Sequence, residues 1–272
     1  MTSTVTDRAV APRAVDAPRR GAGMRQSLAL AGRSLTKTKR NPGMVLDALM
    51  LPVIFLLLFV YLFGGAVAGS SREYLQYLFP GILVLSTVLV GQTSTGLNIV
   101  LDMKKGVFDR FRSLPIERAA PLIGSVLGDA IRYVVACVAL FALGYALGFR
   151  VETGVGQALA AVGVAIAFGF GLSWLTVWVA VLLRDENLVT TVAFLVPFPL
   201  VFGTNMVAPI DTMPGWLQTW AEINPVSHAI EACRALLLGG PAADAAVLTL
   251  LWGAGFLVVF GTLAVYAYRR RM

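Results

Sequence analysis

Long apolar stretches dominate this sequence, and short polar or charged segments separate them. Six stretches lie at about residues 48–69, 77–101, 125–149, 155–183, 187–209 and 245–268. A hydrocarbon layer about 30 Å thick is crossed by a helix of about 20 apolar residues. None of the stretches alternates apolar and polar residues at period two, so strands are disfavoured. The pattern predicts an all-α membrane protein with six transmembrane helices in residues 44–272.

The fifth stretch contains two prolines near its middle, Pro197 and Pro199. Proline lacks a backbone N–H and its ring collides with the preceding helical turn. We therefore expect a kink or a break in the fifth helix.

The segment before the first apolar stretch divides into two parts. Residues 1–23 are rich in Ala, Pro and Arg and have no apolar core, which predicts a disordered cytoplasmic tail rather than a signal peptide. In residues 24–43, Met24, Leu28 and Leu35 share one helical stripe opposite basic side chains. This spacing predicts an amphipathic helix that lies in the headgroup layer. A solvated basic linker is the alternative.

The segment between the fifth and sixth stretches, residues 211–244, predicts two short helices that cannot span a bilayer. One begins near Pro214, and the other begins where Asn224 caps a helix whose first residue is Pro225. Trp216 and Trp220 are typical of a membrane interface. We expect a re-entrant or surface-lying helical hairpin on the outer face, with a plain extracellular loop as the alternative.

The distribution of basic residues predicts the orientation of the chain. The composition is 57% hydrophobic and 14% charged, with a net charge of +7. Of the 22 Lys and Arg residues, nineteen fall on one side of the predicted spans and three on the other. Cytoplasmic loops of membrane proteins carry this excess. We therefore expect both termini in the cytoplasm, and we interpret the charge as topological rather than as a nucleic-acid surface.

Motifs for soluble enzyme chemistry are absent from the sequence. It has no P-loop, no HExxH motif and no Cys/His cluster, and its single histidine is His228. No Ser/His/Asp set can be assembled. The sequence thus predicts no catalytic residues, no metal site and no cofactor in this chain.

Charged residues within the apolar stretches are few. Asp129 and Arg132 are three residues apart near the start of the third stretch, and we expect them to form a structural ion pair. An ion-coupled carrier would require several ionisable groups at mid-depth of the membrane. Their absence argues against such a carrier, which stays an alternative.

The second stretch ends in polar residues. Side chains of this kind face a bundle interior or a water-filled cavity. Helix packing and a substrate path explain them equally well at this point. The candidate path residues are Gln92, Thr93, Ser94 and Asn98.

The loop at residues 102–118 combines charge with an apolar edge. Val107, Phe111 and Leu114 have the 4-3 spacing of one helix face. A topological signal alone requires only Lys and Arg, so this loop favours docking on another protein. Lying on the inner leaflet is the alternative.

Together these features resemble ABC-2 type transporter permeases, and in particular the membrane subunits of daunorubicin and doxorubicin exporters. The likeness covers residues 24–272 and departs from the family at Asp102, where glutamate is usual. The matching positions are the amphipathic segment 24–40, Lys105, Gly106, Arg110, Leu114 and Pro115 in the loop, and Asn224, Pro225 and Arg234 near the end.

The resemblance implies a permease in the plasma membrane that pairs with a second permease copy and with separate ATP-binding subunits, which bind the ATP and Mg²⁺. The loop would couple to the ATPase, and the cargo would be a drug or other amphiphilic molecule. Export of a polysaccharide or lipid-linked polymer is the alternative within the class. The implied coupling residues are Lys105, Gly106, Val107, Asp109, Arg110, Phe111, Leu114 and Pro115.

Overall fold

The computed structural model describes residues 43–105 and 130–271, and their regular secondary structure is entirely helical. The predicted tail 1–23 and the amphipathic segment up to residue 42 lie outside these ranges. So do Asp129 and every predicted coupling residue except Lys105.

Ten α-helices, one π-helical segment and one short 3-10 turn form the described parts of the chain. They are α1 (Gly43–Ala68), α2 (Ser71–Val90), the π-helical segment Gly91–Thr95, α3 (Gly96–Lys104), α4 (Ala130–Leu147), α5 (Val155–Leu183), α6 (Glu186–Leu195), α7 (Pro197–Phe202), the turn Ile210–Thr212, α8 (Gly215–Ile223), α9 (Pro225–Leu238) and α10 (Ala243–Arg271).

The helix α2, the π-helical segment and α3 follow one another without interruption and form a single rod, residues 71–104. Ser70 caps its start by accepting a hydrogen bond from the Glu73 N–H at 3.2 Å, and Glu73 lies in the first turn, where a negative charge favours the helix dipole. The rod is the most buried candidate span, with 89% of its most apolar window inside the protein. It is therefore the central element, against which α1, α4, α5 and α9 pack.

Four helices in the described ranges are long and apolar enough to cross a membrane: Ser71–Lys104, Ala130–Leu147, Val155–Leu183 and Ala243–Tyr268. Two shorter apolar helices, Leu49–Gly65 and Glu186–Phe202, coincide with the predicted first and fifth stretches. This composition is that of a helical membrane protein with several spans. The count of six spans stays a prediction.

The predicted break in the fifth stretch is confirmed. Helix α6 ends at Leu195 and α7 begins at Pro197, while Val196 between them keeps right-handed helical φ and ψ, so the interruption is confined to the hydrogen bonds that the prolines cannot donate. Helix α7 ends at Phe202, so residues 203–209 are not helical although the apolar pattern continues through them. Backbone groups in this segment therefore require partners from other parts of the chain.

The two short helices predicted before the last stretch are present as α8 and α9. The side chain of Asn224 accepts a hydrogen bond from the Val226 N–H at 2.9 Å, and Pro225 is the first residue of α9. The helix ends at Gly239, whose φ of 99° is favourable only for glycine. Helix α9 is buried among the rod, α5 and α10.

The outer helices expose apolar side chains. Only 11% of the most apolar window of α10 is buried, and Leu251 and Val258 are among its exposed residues. Helix α10 packs closely on α5, where the Gly171 Cα faces the Gly253 backbone. In a membrane protein such surfaces face lipid or other apolar partners.

Candidate functional site

The rod 71–104 connects two polar clusters at opposite ends of the helix bundle. We call them the Tyr77 end and the Lys104 end. Between them the rod carries the polar residues that the sequence singled out.

At the Tyr77 end, four residues form a cluster that we call the clamp: Tyr77, Asn205, Glu231 and Arg234. The Tyr77 hydroxyl and the Arg234 Nη2 both donate to the Asn205 carbonyl oxygen, at 2.8 Å and 2.9 Å. The Arg234 Cζ lies 4.2 Å from the centroid of the Tyr77 ring. The Asn205 Nδ2 donates to the Glu231 Oε1 at 3.0 Å. The clamp thus joins the rod, the non-helical segment 203–209 and α9.

Further hydrogen bonds serve the same non-helical segment and the end of α7. The Tyr74 hydroxyl donates to the Val207 carbonyl oxygen at 2.9 Å, and the Asn224 Nδ2 donates to the Leu200 carbonyl oxygen at 2.8 Å. Asn205 itself is only 5% exposed, and buried polar groups of this kind are hydrogen-bonded within the protein. Side chains of the rod and of the hairpin therefore stabilise a backbone that cannot complete a helix.

The clamp holds the positive charge of Arg234 in a partly buried position. Burial lowers the pKa of the Arg234 guanidinium, whereas Tyr77 and Glu231 oppose this shift. An arginine side chain remains protonated in proteins. Its charge is stabilised by two carbonyl oxygens, Tyr77 O at 3.4 Å and Asn205 O at 2.9 Å, and by the face of the Tyr77 ring.

The loop between α4 and α5 also lies at the Tyr77 end. The Arg150 N–H donates to the Gln76 Oε1 at 3.2 Å. The Glu152 N–H and the Thr153 hydroxyl donate to the Leu237 and Leu236 carbonyl oxygens, at 3.0 Å and 2.6 Å. The end of α9 is thereby anchored to this loop.

The polar residues of the π-helical segment lie against α5 or along the rod itself. Gln92 is buried, and its Nε2 donates to the Leu172 carbonyl oxygen at 3.1 Å. Its Oε1 is buried and has no hydrogen-bond partner within the described ranges. The Thr93 hydroxyl donates to the Leu89 carbonyl oxygen at 2.7 Å. Asn98 is half-buried, and the side chain of Ser94 is outside the described atoms.

Close helix approach surrounds Gln92. A Cβ at the neighbouring Gly91 would lie 2.5 Å from the Tyr133 hydroxyl oxygen and 2.8 Å from the Gly169 carbonyl oxygen. Only glycine allows α4 and α5 to come this near to the rod. Gln92 therefore participates in helix packing, and its role in a substrate path stays a prediction.

At the Lys104 end, the Lys104 Nζ lies 2.9 Å from the Glu186 Oε1. The Asp185 side chain caps α6 by accepting a hydrogen bond from the Leu188 N–H at 3.0 Å. The rod and the first turn of α6 are therefore joined by an ion pair. Lys105, the first predicted coupling residue, is exposed immediately after it.

The other predicted site residues are less closely grouped. Arg132 is buried, but its predicted partner Asp129 is outside the described ranges. Trp216 is 74% exposed on α8, whereas the Trp220 indole packs against Gly203. In the described ranges no group of His, Cys, Asp and Glu residues could hold a metal ion.

Sequence reasoning singled out Arg234 and Asn224 but missed Tyr77, Asn205 and Glu231. The available signal was the pair Thr204-Asn205, which interrupts an apolar stretch shortly after two prolines. Polar residues at such a position indicate a backbone that leaves the helix and needs local partners.

Comparison with known proteins gives consistent matches. The family model described as "ABC-2 type transporter" matches residues 25–238. The chain is 39% identical over 254 residues to the "Daunorubicin resistance ABC transporter permease protein DrrB1" of Streptomyces coeruleorubidus, covering 93% of this chain and 89% of that one.

Two further relatives are more distant. The "Probable doxorubicin resistance ABC transporter permease protein DrrC" of Mycobacterium tuberculosis is 28% identical over 90% of this chain and 88% of its own length. The "Putative transport permease ycf38" of Cyanophora paradoxa is 27% identical over 76% of this chain and 72% of its own length.

Proposed function

Because this chain belongs to the ABC-2 type transporter family, we propose that it is the membrane-spanning permease subunit of an ATP-driven exporter of amphiphilic drugs or antibiotics. The observation that carries the proposal is the 39% identity to a daunorubicin resistance permease over nearly the full length of both chains. The apolar exterior and the polar residues near the middle of the central rod are compatible with that role.

The energy would come from a separate ATP-binding subunit that holds ATP and Mg²⁺. The matched relatives are named permease proteins of ABC transporters, and this sequence has no P-loop. We infer that two permease copies pair with two such subunits. Nucleotide binding would then stabilise one arrangement of the permease pair by differential affinity.

Six spans with both termini in the cytoplasm form the topology that we propose, in the plasma membrane. Two contacts support the proposal that successive spans end on alternate sides of the membrane. The Lys104–Glu186 ion pair joins the ends of the second span and the fifth span, and the Arg150–Gln76 hydrogen bond joins the opposite ends of the second and third spans. The Lys104 end would be cytoplasmic, since it is adjacent to the basic loop.

The hairpin α8–α9 would be re-entrant on the outer side. Ala229 and Cys233 of α9 are fully buried, and α9 packs on the rod, α5 and α10. Helix α8 exposes Trp216 and Ile223, as expected of a helix at a membrane interface. The buried α9 and the exposed α8 support a short helix inserted into the membrane beside a second helix that lies at the membrane interface.

Coupling would pass through the loop that follows the rod. Lys105 continues directly from α3, so a displacement of residues 105–115 by the ATPase would act on the end of the rod. Gln92, Thr93, Ser94 and Asn98 would line or adjoin the path of the substrate, with Gln92 also joining the rod to α5.

Reconstitution tests this function. The chain is purified with a P-loop ATPase subunit and placed in inside-out proteoliposomes, and the uptake of daunorubicin is followed by its fluorescence. We expect uptake only with ATP and Mg²⁺, and none when the P-loop lysine of the ATPase is replaced by alanine. Uptake by the permease alone, driven by a proton or sodium gradient, would refute the proposal and favour a secondary carrier.

A further inference from the structure

The middle of the central rod contains one residue more than an α-helix would need. Residues Gly91–Thr95 are π-helical, whereas α2 before them and α3 after them are α-helical. A hydrogen bond in a π turn spans five residues instead of four, so the turn takes up one additional residue. Such turns are rare and occur frequently at functional sites. The additional residue therefore requires a reason in the packing or in the function.

Two glycines show what the additional residue does to the packing. Gly91 and Gly96 are five positions apart, which in an α-helix places them about 140° apart around the axis. Both nevertheless face α5. A Cβ at Gly91 would lie 2.8 Å from the Gly169 carbonyl oxygen, and a Cβ at Gly96 would lie 3.1 Å from the Thr176 carbonyl oxygen. The faces of α2 and α3 therefore match those of a continuous α-helix that is one residue shorter.

The two halves of the rod are held to different degrees. In α2, every residue from 78 to 90 is buried. In α3, only Gly96, Ile99 and Val100 are buried, and the ion pair between Lys104 and Glu186 at its end is exposed. Helices bend sharply at π turns. The π-helical segment thus joins a firmly packed half of the rod to a half that has fewer buried residues.

Side chains of the π-helical segment weaken the rod at this position. The Thr93 hydroxyl donates to the Leu89 carbonyl oxygen, four residues earlier, at 2.7 Å. Hydrogen bonds of this kind slightly destabilise a helix and often bend it. The Gln92 Oε1 is buried without a hydrogen-bond partner among the described residues, which raises the free energy of this conformation.

From these observations we propose that the π-helical segment is the joint of the rod, at which α3 bends and turns relative to α2 when the ATPase acts on the loop after Lys105. Helix α2 stays fixed in the bundle while α3 moves. Gln92 connects the joint to α5 through its hydrogen bond to the Leu172 carbonyl oxygen. This assignment depends on the proposed function and adds the place at which a movement of the ATPase changes the shape of the permease.

Deletion of Thr93 tests the joint, because it removes the additional residue without turning either half of the rod. Gly91 and Gly96 become four positions apart, and residues four apart share one face of an α-helix. The contacts with α5 and the Lys104–Glu186 pair are then retained. We expect an apparent unfolding temperature equal to that of the wild type or higher.

Transport should nevertheless suffer when the joint is removed. In proteoliposomes that contain the permease and the ATPase subunit, we expect deletion of Thr93 to lower ATP-driven daunorubicin uptake about tenfold, since loss of a hinge slows the conformational step. Thr93→Ala removes the same side chain but keeps the additional residue. Its uptake should be several times higher than that of the deletion variant.

Deletion of Thr87 is the matched control for stability. It removes the same type of residue from the α-helical part of the rod, so residues 88–91 turn by about 100°. Gly91 then leaves the face that contacts α5. The apparent unfolding temperature of this variant should fall, in contrast to that of the variant without Thr93.

Amide hydrogen exchange measures the joint independently of transport. In the complete transporter in lipid nanodiscs, the amides of residues 91–97 should exchange about tenfold faster than those of the buried residues 81–88, as followed by mass spectrometry. Deletion of Thr93 should remove this difference. Trapping with ATP and vanadate should change the exchange of residues 91–97 and leave that of residues 81–88 the same.

Four results would overturn the joint. They are wild-type uptake after deletion of Thr93, an unfolding temperature as low as that after deletion of Thr87, equally slow exchange of residues 91–97 and 81–88, and exchange of residues 91–97 that ignores the nucleotide state. A wild-type complex without ATP-driven uptake would instead refute the proposed function and the role of the joint in it. Fast exchange of residues 91–97 and a stable deletion variant would then still identify a flexible turn, so the two failures are distinguishable.

Discussion

The Lys104 ammonium lies 2.9 Å from a carboxylate oxygen of Glu186, and this ion pair joins the end of the central rod to the first turn of α6. Both side chains are substantially exposed, at 55% and 37%. Exposed ion pairs contribute little to folding stability. We propose a different role for the pair, because it joins the rod to α6 directly before the loop on which the ATPase of the proposed exporter would act.

Charge reversal at either member of this pair should impair transport more than folding. We expect Lys104→Glu or Glu186→Lys to lower ATP-driven daunorubicin uptake severalfold while the expression and the apparent unfolding temperature stay near wild type. The swapped double variant should recover at least half of the activity, since it restores the pair with the same net charge. Failure of the swap to recover any uptake would contradict a role for the pair itself.

The loop after the rod should decide whether ATP hydrolysis drives transport. Arg110→Glu combined with Leu114→Asp changes the charged side and the apolar edge of the predicted coupling helix. We expect ATPase activity to persist while daunorubicin uptake falls at least tenfold. Arg118→Glu, a charge reversal outside the predicted coupling set, should have a much smaller effect. Normal uptake by the double variant would show that this loop does not couple the subunits.

A substitution of Gln92 distinguishes a role in helix packing from a role in a substrate path. In Gln92→Leu, the Leu172 carbonyl loses its 3.1 Å side-chain donor, but the buried Oε1 without a described partner is also removed. These two effects oppose one another, so stability should change little. A substrate-path role predicts a severalfold change in the KM for daunorubicin, measured in proteoliposomes.

Thr87→Val is the matched control for Gln92, because Thr87 lies on the same rod outside the predicted path and its hydroxyl donates to the Val84 carbonyl oxygen of its own helix at 2.9 Å. An unchanged KM in Gln92→Leu at full stability would assign Gln92 to packing alone.

The contact between α5 and α10 should tolerate no added methyl group at Gly171. A Cβ there would overlap the backbone of Gly253, so Gly171→Ala forces the two helices apart. Overpacking of this kind costs about 1–3 kcal/mol. The apparent unfolding temperature in detergent should therefore fall.

Gly163→Ala, on the same helix, is the control for this contact, because a Cβ there meets nothing within 4 Å. Its unfolding temperature should equal or exceed that of the wild type. Equal unfolding temperatures for both variants would contradict the observed packing.

Asn224 should be required for the start of α9. Asn224→Ala removes the cap of the Val226 N–H and the donor to the Leu200 carbonyl. Loss of a cap costs about 1–2 kcal/mol, and the unpaired carbonyl adds to it. Asn224→Ser can retain the cap but not the donor, so it should be intermediate in unfolding temperature. An unfolding temperature for Asn224→Ser below that of Asn224→Ala would show that the cap of the Val226 N–H does not stabilise the protein.

Several features of the fold were predictable because they depend on residues close together in the sequence. The break at Pro197, the cap at Asn224 and the helix end at Gly239 follow from the local chemistry of proline, asparagine and glycine. The existence of apolar helices follows from stretch length alone. The ABC-2 family followed from motifs, and the family match confirms it.

The clamp could not be predicted in the same way. Tyr77, Asn205 and Arg234 lie far apart in the sequence, and in each stretch nearly every face of the helix is apolar. Periodicity therefore does not indicate which face packs on another helix and which faces lipid. The same limit applies to Gln92, whose side chain could have faced a cavity as readily as α5.

By itself, the sequence determined that this chain forms long apolar helices and that prolines interrupt the fifth apolar stretch. It also determined that a hairpin of two short helices, with a cap at Asn224, lies before the last apolar stretch. These properties arise from the apolar length and backbone chemistry of contiguous residues. Only the tertiary structure decided that the rod 71–104 and the fifth apolar stretch meet at both ends, through Tyr77 with Asn205 and through Lys104 with Glu186. The physical reason is that helix pairing in an apolar medium depends on close packing and on a few distant polar contacts, which no local pattern encodes.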